Sequence, residues 1–264
     1  MPELHQPIRG LIIDMDGVLW RDAQPIGNLP AIFERMRKLN LKFILASNNA
    51  TRSIDQFVEK LKSFGVDVQP QQLINSALAT AMFLSREYPE GGAVYIIGEE
   101  GLIQSLAEYR FYHNEQNALA VVVALDRNLT YQKLKQASFL IRSGVPLIGT
   151  NPDCTLPTPE GLIPGAGAIL AALEAATGVK PKIIGKPQPE IYLAALSRLG
   201  IKPSEALVIG DRLDTDIVGA QAIGCATALV LSGVTPKSIA YSWHPAPDII
   251  AENLDSVLDH LENC

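Results

Sequence analysis

The sequence predicts an α/β protein: a parallel sheet flanked by helices, with a second, smaller α/β domain inserted into it. Three observations predict this. Short apolar runs alternate with amphipathic helical patterns along the 264 residues. Four runs end abruptly in polar or charged side chains: Leu11-Ile12-Ile13 in Asp14, Phe43-Ile44-Leu45-Ala46 in Ser47-Asn48-Asn49, Lys182-Ile183-Ile184-Gly185 in Lys186, and Ala206-Leu207-Val208-Ile209-Gly210 in Asp211. Lastly, Ser47 and Lys186 stand 139 positions apart, whereas a crossover between neighbouring parallel strands needs only about 30 residues.

In chain order, Leu11–Ile13 read as a buried strand, and Met15–Gly27, with Trp20 and Arg21, as an irregular segment rich in turn residues. Asn28 caps a helix whose buried stripe is Ile32, Phe33, Met36 and Leu39. The strand ending in Ser47 follows. Ser53 then caps a helix through Ile54, Phe57, Val58, Leu61 and Phe64, stopped by Gly65. A further helix is expected from Gln71 through Ala77, Ala81 and Leu84 to the break at Tyr88-Pro89-Glu90-Gly91-Gly92.

Roughly 100 residues are surplus to one crossover, and they alternate on their own account. Strands are expected at 93–97, 119–125 and 146–149, with helices at 100–109 and 131–142. This sets three segments: 1–82 as the first part of the core, 83–179 as the insert, and 180–264 as the rest of the core. Crossings near 80–92 and 178–182 would serve as hinges for a rocking cap. Asn151–Pro164 reads as a long loop stiffened by prolines, with Cys154, Asp153 and Gly161 in it. Gly165 and Gly167 lack the third glycine of a dinucleotide fingerprint and instead open a helix through Leu170, Leu173 and Ala176. After Lys186 come a helix bearing Tyr192, Ala195, Leu196 and Leu199, the Asp211 strand, a strand at 226–231 and a strand-helix unit at 249–261.

Composition narrows the function. A hydrophobic fraction of 47% supplies ample core, and a net charge of −6 argues against binding nucleic acid or anionic membranes through bulk charge. No apolar run approaches the roughly 20 residues that span a bilayer, and the first ten residues carry no export core. The three cysteines, Cys154, Cys225 and Cys264, form no paired spacing, and His5, His113, His244 and His260 form no ligand pair, so a reducing cytoplasm is expected and zinc is not. Cys264 is expected to dangle at the terminus.

Chemistry concentrates at the strand ends. Charges placed straight after apolar strands of a parallel sheet gather at its carboxyl edge, where such sheets bind ligands. Asp14, Asp16 and Asp211 crowded there would repel one another, and a divalent cation relieves the repulsion. Oxygen-only ligation suits Mg²⁺, which shares its shell with substrate phosphate, and the ammonium of Lys186 asks for an anionic substrate as well.

Taken together, Asp14-Met15-Asp16-Gly17-Val18-Leu19, Ser47-Asn48-Asn49, Gly185-Lys186-Pro187 and Gly210-Asp211-Arg212-Leu213-Asp214-Thr215-Asp216 resemble, in order, the four motifs of the haloacid dehalogenase superfamily of aspartate-nucleophile phosphatases. Thr150-Asn151-Pro152-Asp153 and Pro164-Gly165-Ala166-Gly167 make the chain most similar to the nitrophenylphosphatase-like (NagD-type) branch, subfamily IIA. The resemblance implies a Rossmann-like core with an inserted α/β cap. It implies a Mg²⁺-dependent phosphatase of small phosphomonoesters, of sugar phosphate, nucleotide or aryl phosphate type. It further implies Asp14 as nucleophile, Asp16 as acid and base, and Lys186 as the charge partner of nucleophile and substrate. Ser47, Asn48 and Asn49 would bind phosphate; Asp14, Asp16 (through its backbone carbonyl) and Asp211 would hold the metal; Asp216 would orient metal-bound water. The implied partner is a small phosphorylated metabolite in the cytoplasm, with no nucleic acid and no membrane, and relatives often form homodimers.

Other readings compete. A receiver-type regulator also gathers acids, a hydroxyl and a lysine at strand ends, but it needs neither an insert nor Asp16. A phosphotransferase of the same fold would share every motif. An EF-hand loop wants glycine at its sixth position, whereas Gly17 falls at the fourth.

Overall fold

The computed structural model describes residues 7–158 and 160–262; the readings placed on His5, Pro159 and Cys264 lie outside them. The chain divides into two compact units. One comprises 1–47, 57–74 and 186–264, and the other 48–56 and 75–185. The second unit therefore takes in short stretches on both sides of the insert expected at 83–179.

The first unit is built on a six-stranded sheet in the order Ile249–Ala251, Ala226–Val230, Ala206–Gly210, Gly10–Ile13, Lys42–Ser47, Leu73–Asn75. The central strand is parallel to both neighbours, with Ile13 level with Ile209 on one side and Leu45 on the other. Every residue of Gly10–Ile13 is buried, which explains why it reads as an unbroken apolar run rather than an alternating one. The shared register brings Asp14, Ser47 and Asp211 out at one edge. Leu29–Lys38 follows its Asn28 cap, whose side chain accepts from the Ala31 amide (3.3 Å). Ser53 and Gln56 exchange reciprocal side-chain to backbone bonds at the start of Ile54–Ser63. Arg35 ties the first helix to the last, Leu254–Glu262, through Asp255 (2.9 Å), Asp259 (2.6 Å) and Glu262 (2.7 Å).

The second unit has a five-stranded sheet in the order Lys182–Ile183, Leu147–Gly149, Val121–Val123, Gly92–Ile97, Phe111–His113. Among the described residues its strands pair in parallel. Tyr95, Ile97, Val121, Val123, Ile141, Leu147, Leu170 and Leu173 make its core, with Tyr131–Arg142 and Ala166–Thr177 as covering helices. Among the described residues no helix is long and apolar enough to cross a membrane.

Met15–Gly27, expected to be irregular, contains a short antiparallel ribbon of Trp20–Arg21 with Gln24–Pro25, and four further elements differ from the sequence expectation. The helix expected from Gln71 starts only at Ser76, because Asn75 caps it by accepting from the Leu78 amide (2.8 Å), and Leu73–Asn75 before it form a strand. Phe111–His113 is a short edge strand, too brief to show periodicity. Asn151–Pro164 is not a plain loop: Thr155–Thr158 and Gly161–Pro164 pair as an antiparallel ribbon. A two-stranded ribbon leaves half its amides facing outward, so Pro164 is tolerated where a central strand would exclude it. Finally, Lys182–Ile183, expected as a core strand, pairs with Ile148 and Gly149 of the second unit's sheet, Ile183 packing over the bare Gly149.

Candidate active site

Asp14 follows the central strand directly, its amide donating to Ile209 O (2.8 Å) as though the ladder continued one residue further. The chain then turns tightly: Leu19 N donates to Met15 O (2.9 Å) and Gly17 N to Trp20 O (2.7 Å). Gly17 sits at φ +85°, and a Cβ there would collide with the Asp211 carboxylate, so glycine is demanded twice over. The turn directs the Asp16 side chain outward, where Oδ1 accepts from Trp20 Nε1 (2.7 Å).

Lys186 is the hub. Its Nζ donates to Asp14 Oδ1 (2.5 Å), Asp216 Oδ1 (2.7 Å) and the carbonyl of Ala46 (3.2 Å), and the residue is only 4% exposed. Asp216 comes from a π-helical turn, Leu213–Ile217. Its second oxygen accepts from the Arg212 amide (3.1 Å). Buried Tyr192 donates its hydroxyl to the Thr215 carbonyl (2.7 Å), clamping that turn. Gly210 lies so close that a Cβ would overlap the Asp216 side chain. Asp211 Oδ2 accepts from Val234 N (2.8 Å) and its carbonyl accepts from Thr235 Oγ1 (2.5 Å).

These acids are expensive where they stand. Burial, with the Asp216 and Asp211 charges, pushes the Asp14 carboxyl well above the usual range against the pull of Lys186. Burial and Asp216 raise Asp211 from 3.8 to about 6. Burial works against the Lys186 charge too, but Asp14 and Asp216 outweigh it and leave its pKa well above the ordinary value. One carboxylate oxygen from each of Asp14, Asp211 and Asp216 lies within 4.8 Å of the others. Hard oxygen donors packed this closely fit a small divalent ion such as Mg²⁺.

Of the residues read from the sequence, Asp14, Lys186, Asp211 and Asp216 form one cluster. Asp16 stands beside it through Gly17, and Ser47 is buried at the end of its strand. Asn48 and Asn49 fall in the second unit. There the Asn48 carbonyl accepts from Ser76 Oγ (2.6 Å) and Asn151 Nδ2 (2.8 Å), Asn48 Nδ2 donates to Asp153 (3.2 Å), and Asn49 accepts from Thr51. Arg212 and Asp214 pair with each other at the surface (3.0 Å). Three contributors escaped the sequence reading: Trp20 as a hydrogen-bond donor, Tyr192 as a clamp and Val234 as the amide orienting Asp211. For Val234 a signal existed, since Ser232-Gly233 follows a strand beside the Asp211 strand and so emerges at the same edge.

Residues 11–112 match the family model described as haloacid dehalogenase-like hydrolase, and residues 183–257 match a second such model. The acid sugar phosphatase of Staphylococcus aureus is 34% identical over 96% of this chain and 98% of its own length. The p-nitrophenyl phosphatase from Archaeoglobus fulgidus superposes with a TM-score of 0.91 at 33% identity, covering 97% of this chain and 100% of that one. The glycerol phosphate phosphatase from Mycobacterium tuberculosis, solved in complex with magnesium, does so with a TM-score of 0.87 at 34% identity, covering 97% of this chain and 78% of that one. The chain thus belongs to the haloacid dehalogenase-like hydrolases and is a phosphatase of their nitrophenylphosphatase-like branch.

Proposed function

We propose that the protein hydrolyses small phosphomonoesters by way of an aspartyl-phosphate on Asp14. The observation that carries this is the buried Lys186 bridging Asp14 and Asp216 beside Asp211. Such a cluster is unfavourable for stability and meaningful only if a cation and an anionic substrate complete it. Asp14 attacks phosphorus in line, its oxygen forming the new bond as the ester oxygen leaves with a proton from Asp16. Water then attacks the phosphorus, surrenders a proton to Asp16 and releases Asp14. Lys186 offsets charge on nucleophile and phosphoryl group; at 4 Å one unit pair is worth about 4 kcal/mol in an effective dielectric near 20. Ser47 and the Asn48 and Asn49 groups that follow it in the chain are the phosphate donors. Asp14, Asp211 and the Asp16 carbonyl would hold Mg²⁺, which supplies charge neutralisation at the transferring group. Asp216, with both oxygens already engaged, acts one step out.

Sugar and polyol phosphates are the favoured substrates, on the strength of the relatives named for sugar phosphate and glycerol phosphate hydrolysis. Phosphate release across a panel of phosphorylated metabolites, with and without Mg²⁺, tests this; equal release without the metal, or none from any member, overturns it. Chemistry is assigned to 1–82 and 180–264, and choice among substrates to the inserted segment 83–179. Replacing Cys154–Leu162 by a glycine-serine linker accordingly reorders the panel while Mg²⁺-dependent hydrolysis of nitrophenyl phosphate persists. An unchanged order in a folded variant refutes that division. A reducing cytoplasm as the home of the protein agrees with the free thiols of Cys154 and Cys225. A homodimer without nucleic acid is the working assembly; light scattering distinguishes dimer from monomer.

A further inference from the structure

Trp20 is 0% exposed. Its indole nonetheless reaches the chemistry: Nε1 donates to Oδ1 of Asp16, an exposed residue, over 2.7 Å. The contact is built in. Asp16 and Trp20 face each other across an isolated bridge, and the turn between them is closed by the Gly17 amide on the Trp20 carbonyl. The ring is held in turn by Phe64, 6.0 Å away between centroids, and by Lys60, whose Nζ lies 4.0 Å from the indole centroid. Lys60 is itself anchored on the carbonyl of Asp22 (3.1 Å).

A carboxylate at the surface ordinarily samples several rotamers, whereas proton transfer requires it placed to within about 0.5 Å. A buried indole has few conformations, and leaving its N–H without an acceptor costs free energy. A cation over the ring draws on its π density and strengthens the N–H as a donor.

We propose that Trp20 is a positioning residue for Asp16, fixing the rotamer of the acid and, with it, which oxygen does the work. Indole nitrogen only donates, so Oδ1 must accept. The transferable proton is carried on Oδ2: the Oδ2–H bond breaks as the leaving ester oxygen gains that proton, and the Trp20 bond to Oδ1 stays intact. This rests on the acid/base assignment of Asp16 made above.

The test exploits leaving groups. The ratio kcat/KM reports steps up to formation of the phosphoryl-enzyme, so the later role of Asp16 as base drops out. Nitrophenolate leaves with little need of a proton, whereas an alkoxide needs one. In Trp20→Phe, kcat/KM for glycerol phosphate is expected to fall about 10²-fold, and for nitrophenyl phosphate by far less. Asp16→Asn should show the same asymmetry or a larger one, and adding Trp20→Phe to it should cost the glycerol phosphate reaction nothing more. Phe64→Leu, which loosens the packing but spares the N–H, should lower the melting temperature without changing the ratio between substrates. Equal losses on both substrates in Trp20→Phe, or a further loss in the double variant, overturn the positioning role. Loss of asymmetry in Asp16→Asn itself overturns instead the acid assignment. Should Trp20→Phe fail to fold, benzothienylalanine at position 20 removes only the N–H, and the same two ratios decide.

Discussion

The two units share an architecture, parallel strands covered by helices, but treat buried charge in opposite ways. Among the described residues the first unit buries Asp14, Lys186, Asp211 and Asp216 together. The second buries one charged residue, Asp126, and satisfies it locally, with Lys133 Nζ (2.6 Å) on one oxygen and the Asn128 amide (2.8 Å) on the other. Asp126 closes a turn before a helix and is matched by one cation; the cluster of the first unit sets three acids against one lysine. The contrast teaches that it is not burial of a charge that marks chemistry, but burial of like charges left for something else to balance.

The harshest way to break the contrast is Asp14→Asn. An amide cannot attack phosphorus, so phosphate release should fall about 10³-fold or more while the circular dichroism spectrum stays native. Retained turnover would remove Asp14 from the covalent route. Lys186→Met comes next: it leaves three acids without their shared cation, and loss of one partner from a buried ionic set costs about 3–5 kcal/mol. Stability in denaturant and kcat should both drop. Lys186→Arg should restore little of either, because a planar fork cannot replace a compact ammonium between two carboxylates; full recovery would show that charge alone suffices.

The Asp211 shift sharpens the comparison through pH. Its folded pKa is raised from 3.8 to about 6, so the native state holds a proton that the unfolded chain has already lost. Metal-free stability contributed by this group is therefore full below 3.8 and falls as pH rises to about 6, by on the order of 3 kcal/mol. Mg²⁺ should stabilise progressively across the same window, since it needs the ionised carboxylates. Melting temperatures with and without Mg²⁺ through that range check the sign; curves that run parallel would separate Asp211 from the metal. The smallest effect belongs to the second unit. Asp126→Ala should cost about 1–3 kcal/mol of stability, from one lost ion pair and one orphaned amide, and leave kcat for nitrophenyl phosphate unchanged.

Much of the core was legible because its signals are local. Each of Asp14, Ser47 and Asp211 ends an apolar strand, and a parallel register turns that into a shared edge. Lys186 was legible as a site residue but not in its route, because a two-residue strand such as Lys182–Ile183 carries no mark of which sheet it joins. The ribbon at 155–164 was hidden by its prolines, which read as loop in every context except a two-stranded one. Trp20 and Tyr192 were visible only as large side chains: where an indole N–H or a phenol points depends on turns and helices packed around it, and nothing in spacing reports that.

The first unit is assembled from three separate stretches of chain, and this bears on the order in which the protein folds. The strand Gly10–Ile13 is made before the insert, but its neighbour Ala206–Gly210, Lys186 and the helix that receives Arg35 are all made after it. The second unit, nearly continuous in sequence, has every strand in hand by residue 185. On a ribosome, where domains fold as units in order of synthesis, it is placed to fold first. The emerging chain then carries an ordered insert behind a partial sheet whose central strand still lacks one neighbour, and the four buried charges come together only once residues 186–216 have followed.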